Sequence, residues 1–150
     1  MFQKLLVATD GSEGAFNAVH TAVKIADKYR SHLVILYVYE MPMMAPMMGG
    51  GSLVGGIEYI DPNLMDEWEK TAQSRVKSSV KLVVGDHPVS YVFRTETGHA
   101  AETIARVAEE EGCDLLVVGS RGLSGMKAFF LGSVSERVAH LAHCSVLIVR

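Results

Sequence analysis

A chain of 150 residues suits one compact domain over residues 1–150, large enough to bury a core without disulfides or metals. With 49% apolar and 21% charged residues it is neither disordered nor fibrous. A formal charge of −3 with no run of Lys or Arg argues against a nucleic-acid-binding face. Apolar runs of about six residues are far short of the roughly 18 needed to span a bilayer, and Cys113 and Cys144 make no disulfide framework. Met1-Phe2-Gln3-Lys4-Leu5 enters a strand-like run without a signal-peptide layout, so a cytoplasmic location is expected.

Five short apolar runs read as strands: Leu5 to Ala8, Leu33 to Val38, Val89 to Phe93, Leu115 to Val118 and Val146 to Val149. Most are continuous rather than alternating, as in strands buried on both faces of a parallel sheet. Helical spacing fills the intervals. The first helix runs from about Glu13 to Arg30 with Val19, Ala22, Val23 and Ala26 on one stripe. The second opens at Asp61-Pro62 and is expected to turn Leu64, Met65, Trp68, Ala72, Val76 and Val80 inward. The third spans Ala100 to Glu111 and stops at Gly112. The fourth starts near Ser133 and ends by His143, with Val134, Val138 and Leu141 in register. Strands alternating with helices predict an α/β fold, an open parallel sheet covered on both faces. Between the second strand and second helix, Met41-Pro42-Met43-Met44-Ala45-Pro46-Met47-Met48 followed by three glycines departs from this pattern and is expected to be a long loop.

In such a sheet, ligands bind beyond the carboxyl ends of the strands, where the strand order reverses. Polar and small residues collect at those ends: Thr9-Asp10-Gly11-Ser12, Tyr39-Glu40, Thr95-Glu96-Thr97-Gly98 and Gly119-Ser120-Arg121-Gly122-Leu123-Ser124-Gly125. Glycines at every third position in the last segment let backbone N–H groups approach an anion. Gly132-Ser133-Val134-Ser135-Glu136 then opens a helix, whose N-terminus favours phosphate. The same Ser133-x-x-Glu136 also fits a capping box, which needs no ligand. Neither a P-loop nor the dinucleotide fingerprint is present: Met126 and Ala128 flank Lys127, and Asp10 to Gly14 has the wrong spacing.

Gly119-x2-Gly122-x9-Gly132-Ser133 resembles the nucleotide motif of the ATP-binding branch of the universal stress protein family. The opening Leu6 to Ser12 and the ending Cys144 to Val149 resemble it too, so the likeness covers the whole chain. The resemblance implies a five-stranded sheet of order 3-2-1-4-5, a fold like that of the adenine nucleotide alpha hydrolases, and a homodimer through the strand at 145–149. It implies that Ala8, Thr9 and Asp10 line the adenine and ribose side and that Val38 meets adenine through its backbone. Gly119, Ser120, Arg121, Gly122, Leu123, Ser124 and Gly125 would wrap ribose and phosphates. Ser133, Val134 and Ser135, after Gly132, would offer N–H and hydroxyl groups to the phosphates. Asp10 would approach a Mg²⁺ or Mn²⁺ ion carried by ATP. The implied function is an ATP-binding regulatory or stress-response module with at most slow hydrolysis, acting on an unknown protein partner, with no nucleic acid or membrane. An ATPase or nucleotidyl-transferring enzyme of the same fold, and a nucleotide-independent interaction module, are the alternatives.

Other residues carry less. His140 and His143 share a helix face but lack a visible third and fourth metal ligand. His99 stands at the ligand edge and is expected to face solvent, and the cysteines are expected to pack as small apolar groups. Trp68 is expected in the core or an interface. The methionine-rich segment is expected to act as a lid or partner-binding flap, with Cu(I) binding as an alternative.

Overall fold

The computed structural model describes residues 2–40, 62–122 and 131–150. The methionine-rich segment and Leu123, Ser124 and Gly125 lie outside the described residues. Among the described residues nine elements alternate: β1 (Lys4–Thr9), α1 (Glu13–Tyr29), β2 (His32–Tyr39), α2 (Pro62–Val84), β3 (Tyr91–Thr97), α3 (Ala100–Glu110), β4 (Leu115–Gly119), α4 (Ser133–Leu141) and β5 (Ser145–Val149). All pairings are parallel and the order is β3-β2-β1-β4-β5. The parallel α/β alternation is what the sequence pattern predicted, and the strand order is the one the resemblance implied.

The continuous apolar runs follow from double coverage. Along β1, Leu5 and Val7 face α1 and α2, while Leu6 faces α3 and α4, and all three are fully buried. In β2, Leu33, Ile35 and Tyr37 take the first face and Val34 and Leu36 the second. Two cores therefore sandwich the sheet, and helices α3 and α4 share one face and pack on each other.

The sequence reading differs from the structure at the periphery. The third strand begins at Tyr91 rather than Val89 and continues through Arg94 and Glu96 to Thr97. Pairing with β2 as far as Tyr39↔Thr97 extends it, and ion pairs make its charges tolerable. Arg94 contacts Glu96, Glu110 and Glu111; Arg106 contacts Glu96 and Glu110; Lys4 contacts Glu111. Helix α2 buries only Val76, Val80 and Val84, while Leu64 and Trp68 are 43% and 49% exposed. Its 23 residues extend about 34 Å, against about 26 Å for the eight residues of β2, so it overhangs the sheet. Trp68 is thus not in the core. In α4 only Ser135 and Val138 are buried; Val134 and Leu141 are exposed.

The ion network sets an acid limit on stability. Arg94 holds Glu96, Arg106 holds Glu110, and Lys4 holds Glu111 below the usual glutamate range. Carboxylates lowered in the fold stabilise it above their unfolded value of about 4.3, and that contribution fades as pH falls through the folded values. The thermal midpoint is expected to drop on acidification below about pH 4.3. Arg94→Met should make that drop shallower in calorimetric scans, and high salt should shrink the difference. An unchanged pH slope in Arg94→Met would remove the network from the account.

Candidate functional site

The carboxyl ends of β1 and β4 lie side by side where the chain order reverses, and local hydrogen bonding shapes both. After β1, Thr9 Oγ1 accepts from Gly11 N (3.3 Å) and Asp10 Oδ1 from Ser12 N (2.9 Å). Gly11, at φ +83°, turns the chain, and Ser12 Oγ accepts from Ala15 N (3.2 Å) to cap α1. Asp10 is thereby fixed at the sheet edge.

After β4, Gly119 passes directly under Gly14 of α1. Ser120 N donates to Val149 O (2.6 Å), and Ser120 O accepts from Gly132 N (2.7 Å). The two ends of the intervening segment are therefore pinned together, and α4 starts beside the β4 tip. Its N-cap is Gly132, which has no side chain to cap with. Ser133 is the first helical residue, so Ser133-x-x-Glu136 is not a capping box; Glu136 N donates to the Gly132 carbonyl instead. The first turn of α4 presents its N–H groups outward without a side-chain cap.

A cleft of about 460 Å³ opens between these parts, within the roughly 300–1,000 Å³ usual for small-molecule sites. Of the residues expected to hold a nucleotide, Ala8, Thr9, Asp10, Val38, Gly119, Arg121, Gly122, Gly132, Ser133, Val134 and Ser135 line it. Two of the expected residues are engaged within the protein. Ser120 does not line the cleft; it is buried behind the wall as a backbone tie. The Ser135 hydroxyl donates to Gly132 O (2.8 Å) and Ser120 O (3.3 Å), so its proton is engaged within the protein.

Leu36, Tyr37, Tyr39, Ala100 and Ile104 complete the apolar wall, and Glu40 stands at the rim. Sequence reasoning placed Glu40 at the correct edge but gave it no task. Burial, followed by the nearby Tyr39, Asp10 and Glu69, pushes the Tyr37 phenol up, so it stays neutral. Gly122 lies against Asp10: a Cβ built there would overlap Asp10 Oδ2.

Among the described residues, no three His, Cys, Asp or Glu side chains converge on a metal position. Asp10 fits a Mg²⁺ or Mn²⁺ ion only as a single protein carboxylate, the arrangement in which phosphates and water supply most ligands. His99 is exposed at the start of α3, and His143 Nε2 sits 3.6 Å from Glu109 on the surface. Burial raises the Cys113 thiol to about 11 and also raises Cys144, which suits packed thiols rather than nucleophiles. No described helix is long and apolar enough to cross a membrane.

The fold and the site together define a doubly wound α/β protein with a crevice at its reversal point. The sequence profile of the universal stress protein family matches residues 1–150, and the chain belongs to that family. It is 35% identical, over the full length of both chains, to universal stress protein YxiE of Bacillus subtilis (strain 168). Its fold matches universal stress protein UspA from Lactobacillus plantarum, with a TM-score of 0.77, 24% identity, and coverage of 99% and 98% of the two chains. A universal stress protein solved in complex with cAMP matches with a TM-score of 0.62 and 27% identity, over 99% of this chain and 97% of that one.

Proposed function

We propose that this chain is an ATP-binding member of its family, a cytoplasmic regulatory module in which nucleotide occupancy switches binding of a protein partner, with at most slow hydrolysis. The observation that carries the reading is the glycine-capped start of α4, whose free first-turn N–H groups open onto the cleft beside Gly119 and Gly122. Phosphates would rest on that turn, with a Mg²⁺ or Mn²⁺ ion between them and Asp10. The apolar wall beneath Val38 would take adenine. A cyclic adenine nucleotide is the second reading, favoured by the relative solved with cAMP. Calorimetry with ATP, GTP and cAMP separates these outcomes. ATP is expected to bind more tightly than GTP, and absence of any ATP heat at millimolar ligand would sink the first reading.

The same proposal includes a homodimer built on β5. Val146, Leu147, Ile148 and Val149 form an apolar edge strand that is only half-buried within one chain. Light scattering after gel filtration is expected to give twice the chain mass, and Val146→Lys with Ile148→Lys to halve it. A dimer indifferent to those changes would place the interface elsewhere.

A further inference from the structure

Helices α3 and α4 lie on the same face of the sheet, and both start at the edge that forms the cleft. Each brings the positive end of its dipole there. The two starts are nevertheless treated differently. At α4 the N-cap is Gly132, which has no side chain to cap with, and among the described residues no side-chain acceptor meets the first-turn N–H groups. At α3 the N-cap His99 makes no side-chain cap, yet Ala100 N donates to Glu40 Oε1 at 2.6 Å. Glu40 belongs to the tip of β2, 60 residues away in the chain, and both it and Ala100 line the cleft. A local Ser or Asp at position 99 would cap the helix equally well without placing a carboxylate on the cleft wall. The chain instead supplies its own anion to one helix start and leaves the other open.

We infer that Glu40 is a specificity-determining residue that closes the α3 end of the cleft to phosphate and so fixes the direction of an anionic ligand. This rests on the nucleotide reading of the site. The ligand class that follows carries its negative charge at one end only, with a neutral base and ribose at the other. A ligand phosphorylated at both ends meets the Glu40 carboxylate and is rejected. Arg121 and Asp10 also line the cleft, Asp10 beside Gly122, and Glu40 is the lining carboxylate bonded to the start of α3.

Amide NMR of the full chain titrated with inorganic phosphate tests this, using wild type, Glu40→Ala and Glu40→Gln. In wild type, phosphate should shift the Ser133, Val134 and Ser135 amides and leave Ala100 and Ala101 unmoved. In Glu40→Ala it should shift Ala100 and Ala101 as well, with affinity at that end raised about fivefold or more. Glu40→Gln keeps an oxygen for Ala100 N while removing the charge, and should give an intermediate response at an unchanged thermal midpoint. Phosphate shifts at Ala100 in wild type equal to those in Glu40→Ala would overturn the inference, as would no gain at Ala100 in either variant. If wild type shows no shift at α4, the nucleotide reading fails, while a gain at Ala100 in Glu40→Ala still upholds the blocking role of Glu40.

Discussion

Gly122→Val is expected to weaken ATP binding by at least about tenfold while leaving the fold intact. The atom that a Cβ at this position would overlap is Asp10 Oδ2, the end of a side chain. Asp10 can rotate aside, at the cost of its bond to Ser12 N (2.9 Å). The disturbance therefore lands on the cleft: a displaced carboxylate, a branched side chain where backbone should approach phosphate, and a lost carboxylate position for a divalent ion. Calorimetry on both proteins reads the affinity, and circular dichroism with thermal melting reads the fold. Wild-type affinity in Gly122→Val would remove this loop from the site.

Gly119→Ala is expected to do the opposite, damaging stability first. A Cβ on Gly119 would lie 2.8 Å from Gly14 O, 3.0 Å from Gly14 C and 3.2 Å from Ala15 N. All three are backbone atoms in the first turn of α1, a helix that buries six residues against the sheet. None can move without lifting α1. Overpacking of this kind costs about 3 kcal/mol, which for a chain of this size lowers the thermal midpoint by roughly 6–12 °C. Gly119 and Gly122 belong to one motif, yet the first holds a helix against a strand and the second clears room beside a carboxylate. A midpoint for Gly119→Ala within a degree of wild type would contradict the tight approach to Gly14.

What could be read from the sequence follows from what local pattern encodes. Leu5 to Ala8, Leu33 to Val38 and Leu115 to Val118 were legible because a strand covered on both faces must be apolar throughout. The end of β3 was not, since Arg94 and Glu96 are made tolerable by Arg106, Glu110 and Glu111, which no local window contains. The capping-box alternative falls away by one residue: the helix starts at Ser133, which leaves Gly132 as the cap. Most of the cleft was legible because glycine spacing and strand ends mark it. Glu40 escaped because its partner, Ala100 N, is a backbone group 60 residues away. The backbone tie made by Ser120 was not legible because small polar residues look alike, whether they face a ligand or join two loop ends.

The ion cluster on β3 also bears on how copies of this chain assemble. A five-stranded open sheet has two margins, and a protein receptive at both could grow without limit. Arg94 and Glu96 project from β3 and are anchored to α3, so an incoming strand would have to lie against fixed charges. At β5 the side chains from Val146 to Val149 are all apolar. A two-fold pair formed through β5, as proposed above, would use up the apolar margin and leave only the charged one exposed. In that arrangement the assembly would be a finite particle rather than a fibre, with Arg94 and Glu96 setting the limit from the opposite margin.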